Sequence, residues 1–275
     1  MLCCENIFVI GDYMKKKTIQ NIIIIVCILL ILGGVAWLAK DWFQSEKNHE
    51  IYDEMLQGED RDGDEMVEEV VVEQGEEKKV YVPKKLKRAM KKYEDAYAWI
   101  SIEDTNVDYP IVQHPTSNAY YLEHTIDGVK GYPGSIYTER YNAKDFSDFN
   151  TVIYGHDMIN GTMFKHLHKF EDKKFFKQHD TITIYTAQGE LTYKIFAAVT
   201  YDDRHLMRAF NYDKKKERQE FLDSIFGLNG FGNHYRKGVE VNADSHIITL
   251  STCISNKPDH RYLVLGVLVE EEEKE

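Results

Sequence analysis

The chain has 275 residues, with 34 Lys and Arg against 46 Asp and Glu, for a formal net charge of −12. That balance offers no electrostatic footprint for DNA or RNA and argues against a nucleic-acid partner. Of the four cysteines, Cys3, Cys4 and Cys27 lie in the first 27 residues and only Cys253 follows, so the rest of the chain carries no internal disulfide.

Residues 1–21 read as a cytoplasmic N-terminus. Met1 to Tyr13 holds Glu5 and Asp12 but no basic residue, whereas Met14-Lys-Lys-Lys-Thr-Ile-Gln reads as a basic leader. Met14 is therefore the expected start of translation, the alternative being a genuine tail lipidated at Cys3 or Cys4. Residues 22–39 are apolar and uncharged, and about 18 such residues are enough to span a bilayer. Lys15, Lys16 and Lys17 hold the N-terminal side in the cytoplasm, and Trp37 and Trp42 mark the outer interface. The stretch exceeds an ordinary signal-peptide core and no clear small-x-small site follows, which favours an uncleaved signal anchor over a cleaved leader. The remainder then lies on the extracytoplasmic face.

Residues 40–82 form an acidic spacer, with Glu59, Asp60, Asp62, Asp64, Glu65, Glu68, Glu69 and Glu73 among its charges. Like charges at this density resist collapse. Within the spacer, Met66 to Val72 has strand character but no obvious partner. The spacer and the tail Glu270 to Glu275 supply much of the net charge.

Residues 83–275 are long enough for one domain with a sizeable core. Pro83 to Tyr97 carries Leu86, Ala89, Met90, Tyr93, Ala96 and Tyr97 at helical spacing. Strand-like runs follow at 98–102, 107–112, 134–138, 151–154, 181–185, 190–201, 247–252 and 262–269, with a hairpin turn at Thr186-Ala-Gln-Gly-Glu190. Two helical insertions, 162–178 and 212–226, interrupt them. The expected fold is mainly β: an eight-stranded, closed or nearly closed barrel with an N-terminal helix and helices in its loops.

Cys253 ends a β-rich run, and Arg261 shortly precedes or opens the next apolar strand, so the two face each other across a short loop. A buried cysteine ordinarily acts as a small hydrophobe. An exported, unpartnered thiol invites oxidation, and a thiol beside a fixed cation is an activated-nucleophile arrangement. Such a nucleophile needs a histidine. His156 stands at the end of Thr151-Val-Ile-Tyr-Gly155, where glycine lets the backbone turn sharply. His166, His168 and His179 have no recognised metal spacing, so neither metal nor cofactor is expected. No Gly-x-Ser-x-Gly elbow supports a serine triad.

Thr249-Leu-Ser-Thr-Cys253 followed by Arg261 resembles the sortase signature Thr-Leu-x-Thr-Cys and arginine. Asn150-Thr-Val-Ile-Tyr-Gly-His156-Asp-Met and Gly161-Thr-Met-Phe164 are similar to the histidine region of class B sortases. So are Val107-Asp-Tyr-Pro-Ile-Val112, Asn118-Ala-Tyr-Tyr-Leu122 and Gly134-Ser-Ile-Tyr137. The resemblance runs in order from about 85 to 270, and the long insertion at about 202–244 also favours class B. Two positions depart from it: Ile254, Ser255 and Asn256 follow the cysteine where aromatic or acidic residues are common, and Asp157 follows the histidine where asparagine or histidine is frequent. The resemblance implies a cysteine transpeptidase acting on surface proteins that bear a sorting signal of the Asn-Pro-x-Thr-x or Leu-Pro-x-Thr-Gly type. The acceptor would be an amine of a peptidoglycan precursor or a pilin. Cys253, His156 and Arg261 would be catalytic. Asn118, Leu122, Tyr154, Ser251 and Thr252 would line the peptide groove, with Leu206 in the insertion wall. A water-using secreted peptidase and a non-catalytic adaptor on the same barrel remain alternatives.

Overall fold

A computed structural model describes residues 19–40, 43, 65–73 and 76–269. The expected start at Met14, the lysines at 15–17, Trp42, most of the acidic spacer and the tail from Glu270 lie outside the described residues. The chain divides into two units, residues 1–47 and 48–275.

The described part of the first unit contains one helix, α1 (Ile19–Lys40), of 22 residues. At 1.5 Å per residue it is about 33 Å long, enough for a hydrocarbon core of about 30 Å. Its apolar side chains are exposed all round, including Ile22, Leu30 and Trp37. It exceeds the predicted 22–39 span by a few residues, because Ile19 and Gln20 continue the helix before the first unbroken apolar run.

In the second unit, the strand character of 66–72 finds its partner nearby. β1 (Met66–Glu73) pairs antiparallel with β2 (Glu76–Pro83), with Val67 opposite Val82 and Glu69 opposite Val80. Ion pairs from Lys79 to Glu68 (2.8 Å) and Lys84 to Glu65 (3.0 Å) relieve the crowding of acidic charge. Val80 and Val82 are buried. The last residues assigned to the spacer are thus a folded hairpin. α2 (Lys84–Lys92) buries Leu86 and Ala89 and stops earlier than its spacing predicts. Ala96 is already taken by β3 (Ala96–Ser101), where it pairs with Val112.

The barrel closes through β3, β4 (Asp108–Val112), β5 (Tyr137–Thr138), β6 (Asn150–Tyr154), β7 (Thr181–Thr186), β8 (Gly189–Asp202), β10 (Ile247–Ile254) and β11 (Lys257–Val269). The order is β11-β10-β6-β5-β4-β3-β7-β8, and β8 pairs back onto β11 to complete an eight-stranded ring. The short β9 (His234–Tyr235) extends the outside of β8. A 3-10 segment (Phe164–Glu171) and α3 (Lys173–Gln178) occupy the loop after β6, while α4 (Leu206–Ala209) and α5 (Lys215–Phe226) occupy the loop after β8.

The barrel and its insertion bury the two faces of the same strands. Along β10 and β11, Ile248, Leu250, Tyr262 and Val264 fill the barrel interior. Their alternating neighbours Ile247, Leu263, Leu265 and Val267 join Phe221, Leu222 and Ile225 of α5 in a second core. A strand covered on both faces reads as a continuous apolar run rather than an alternation, which is why these two strands stand out in the sequence.

Candidate active site

Register determines what meets at the barrel rim. β6 and β10 run parallel with Tyr154 opposite Ser251, so His156 and Cys253, each two residues further on, leave the pair at the same height. β10 and β11 run antiparallel with Cys253 opposite Arg261. The three residues therefore belong to three adjacent chain segments, with the thiol in the middle. Neighbouring strands lie about 4.8 Å apart. β11 begins at Lys257, before the predicted strand start. Ile254 pairs with Lys257 across a tight turn at Ser255 and Asn256, and the register shifts just after Cys253. Asn256 adopts a φ of 66°, a left-handed conformation that asparagine tolerates.

Gly155 is required for space rather than for turning. A Cβ there would meet Ile136 Cδ1 at 2.5 Å and Phe164 Cδ2 at 2.7 Å. The bare backbone lets Phe164 pack beneath the rim, where its amide bonds to the His156 carbonyl at 2.9 Å. The His156 ring then lies beside Tyr132, with centroids 5.2 Å apart, and its Nε2 donates to the Leu122 carbonyl at 2.8 Å. Arg261 Nη1 donates to the carbonyls of Pro258 (3.0 Å) and His260 (2.8 Å), which ties the guanidinium to its own loop. Cys253 is exposed.

A cavity of about 390 Å³ opens beside these groups. Its lining includes Cys253, His156 and Arg261, and also Asn118, Leu122, Tyr154, Leu206, Ser251 and Thr252, so the residues singled out in the sequence share one groove. Their burial differs. Ser251, Thr252 and Leu206 are buried, and Leu206 also belongs to the second core. Leu122 is exposed. Asn118 spends its Oδ1 on the Arg140 amide at 3.0 Å. Tyr154 stacks on Tyr137 with ring centroids 5.4 Å apart. Burial raises the Tyr137 phenol, and Glu139 adds to the rise.

Sequence reasoning missed Glu139 and His205. Glu139 follows β5, lines the groove and is only 7 % exposed. Its Oε1 lies 3.1 Å from His205 Nε2. Burial raises the Glu139 carboxyl above its ordinary value, against the lowering influence of His205, Arg208 and the Tyr154 hydroxyl. The dense polar run Asp202-Asp203-Arg204-His205 after a long apolar strand was the available signal, since strand ends of a barrel face its mouth. In that run Arg204 grips Asp202 through two nitrogens, at 2.7 and 2.6 Å.

A solvent-facing thiol on a rigid strand end, a histidine level with it and a guanidinium opposite it can carry out acyl transfer through a thioester. The groove is mostly apolar with a few polar groups, the character of a ligand-binding cleft.

The chain matches the sortase domain family model over residues 100–269. It is 32 % identical to sortase B of Listeria monocytogenes over 186 residues, 67 % of this chain and 74 % of that protein. Among solved structures it resembles sortase B from Bacillus anthracis, with a TM-score of 0.67 at 25 % identity, covering 83 % of this chain and 99 % of the other. It also resembles a Streptococcus pyogenes class B sortase involved in pilus biogenesis, with a TM-score of 0.57 at 29 % identity, covering 66 % and 97 %.

Proposed function

The chain belongs to the sortase family, and on that premise we propose that it is a membrane-anchored class B transpeptidase. It would cleave a sorting signal of the Asn-Pro-x-Thr-x or Leu-Pro-x-Thr-Gly type after threonine and join the protein to a cell-wall amine. As a sortase-type cysteine transpeptidase it acts in linking surface proteins to the cell wall. The signal, the acceptor and the residue roles are the finer reading. The observation that carries it is the register that sets Cys253 level with His156 on one side and opposite Arg261 on the other.

In this reading the Cys253 thiolate attacks the threonine carbonyl carbon. The carbonyl oxygen gains negative charge and takes hydrogen bonds from Arg261, whose Nη1 is anchored by two carbonyls while the rest of its fork is left for the ligand. The C–N bond breaks as protonated His156 gives its proton to the leaving amine. With Nε2 engaged by the Leu122 carbonyl, Nδ1 is the nitrogen that exchanges protons with substrate. A thioester remains on Cys253. An incoming amine attacks it, neutral His156 accepts the amine proton, and the thiolate leaves. The acceptor is a peptidoglycan-precursor amine. A pilin lysine is the second reading, favoured by the likeness to the Streptococcus pyogenes pilus sortase.

Incubating the chain with a library of sorting peptides and weighing the intact protein tests this. A thioacyl adduct should appear on wild type, vanish with hydroxylamine or with an added amine, and be missing in Cys253→Ala. Turnover that survives Cys253→Ala would defeat the reading. Hydrolysis that no added amine diverts would make the protein a peptidase.

A further inference from the structure

Behind Cys253, away from the groove, lies a second set of polar contacts. His168 comes from the 3-10 segment after β6, and its side chain is 18 % exposed. Its Nε2 lies 3.0 Å from the backbone carbonyl of Cys253, and its Nδ1 lies 2.6 Å from Glu171 Oε1. The ring stacks on Tyr262 of β11, with centroids 5.2 Å apart and 24° between planes. The buried carboxylate of Asp157, directly after His156, is 3.8 Å from His168 Nε2 and 2.9 Å from Lys165 Nζ. Its Oδ2, the oxygen nearer His168, accepts from Ser255 Oγ at 2.8 Å. Burial opposes ionisation of Asp157, but the Lys165 and Ser255 bonds and the charges of His168 and Lys165 outweigh it and hold the carboxyl below its ordinary value.

Two deductions follow. The positions that depart from the class B pattern, Asp157 after the histidine and Ser255 near the cysteine, touch each other. That contact ties the segment carrying His156 to the turn after Cys253. Further, the Cys253 carbonyl can only accept, so His168 Nε2 is the donor of that bond. Around the ring stand Glu171 on its own segment, Asp157 from the loop after β6, and the Tyr262 face from β11. Lys165 is paired to Asp157.

We propose that His168 is a positioning residue of the transpeptidation. It grips the Cys253 carbonyl and, with the Asp157–Ser255 bond, fixes the height of the thiol against His156. The inference rests on the transpeptidase reading above. It concerns orientation, so it predicts an effect on kcat rather than KM, because misplacing a nucleophile by about 1 Å can cost about 10²-fold.

The test uses the full chain in detergent micelles. His168→Phe keeps the stack on Tyr262 and removes the Nε2 donor. For His168→Phe we expect kcat for thioacyl formation at pH 6 to fall roughly ten-fold or more with KM within about two-fold. Alkylation of Cys253 by iodoacetamide, which needs no alignment with His156, should fall much less. An unchanged kcat in His168→Phe overturns the proposal. So does a loss carried by KM rather than kcat. A loss seen equally in alkylation overturns it too, because His168 would then act on the thiolate's charge. If wild type acylates no sorting peptide, the transpeptidase reading falls and this inference with it. If wild type acylates and His168→Phe matches it, only the inference falls.

Discussion

Arg261 has its Nη1 occupied by the Pro258 and His260 carbonyls, so its contribution to the groove depends on a planar fork that can hold its own loop and a ligand at once. Lysine keeps the charge but offers a point donor on a flexible stem. Arg261→Lys should fold normally and lose roughly 10²-fold or more in acylation, the scale of one oxyanion donor. Alkylation of Cys253 by a small neutral reagent builds no oxyanion and should change much less. Near-full transpeptidation in that variant would show that fork geometry is not what the site needs. Glu139 makes a different kind of statement, about stability. Its carboxyl is raised by burial, so the fold favours the protonated form. The associated stability is complete below the unfolded-state pKa and is lost as pH rises through the folded-state pKa. Once ionised, the Glu139 carboxylate is a buried anion that His205 offsets only in part. Glu139→Gln, uncharged at every pH, should therefore melt higher than wild type at pH 7, with the difference shrinking towards pH 3.5. Melting curves at the two pH values decide it, and a variant that melts lower at pH 7 would mean that the His205 contact outweighs the burial.

At the scale of elements, the hairpin of β1 and β2 changes where the folded domain begins. Val80 and Val82 are 6 % and 2 % exposed, and each buried valine is worth about 1.5–3 kcal/mol as an upper estimate. A chain beginning at residue 83 loses both. It should unfold in urea at least about 2 kcal/mol more easily than a chain beginning at residue 65, while both acylate peptides, because the site elements lie between 96 and 269. Equal urea midpoints would mean that the hairpin sits on the domain without stabilising it. The elements also show what a sequence can and cannot announce. β10 and β11 were legible because burial on both faces makes their apolar runs continuous. The 162–178 stretch reads as one helix but is two pieces: Asp172 Oδ1 accepts from the amides of Lys174 and Phe175, both at 2.8 Å, and so starts α3 afresh. β9 has two residues and leaves no periodicity. Lys257 to His260 are too polar to read as strand, yet backbone pairing extends β11 through them. Within the candidate site, Cys253, His156 and Arg261 were singled out because each lies at or near a predicted strand end inside a recognisable local motif. Glu139, His205 and His168 were not. Each acquires its partner from a distant element, across 66 residues for the His205–Glu139 pair, and no local pattern records a contact that only the barrel's closure creates.

For the whole molecule, what matters is that an apolar helix of 22 residues belongs to the same chain as a catalytic barrel. All the groove residues named above come from the second unit. The effect expected of the helix is on encounter. A sorting substrate held in the same bilayer meets an anchored enzyme at an effective concentration set by the tether, which for short flexible links reaches the millimolar range. Two measurements separate chemistry from encounter. On a short soluble sorting peptide, the full chain in micelles and a chain beginning at residue 65 should acylate within about two-fold of each other. On a substrate carrying its own membrane segment, co-reconstituted in vesicles, the full chain should be faster by roughly ten-fold or more, and dissolving the vesicles in excess detergent should abolish the gain. Should the full chain show no advantage in vesicles, the helix would serve delivery to the membrane and not catalysis there. If it were faster on the soluble peptide as well, residues before 65 would have a direct role in the groove.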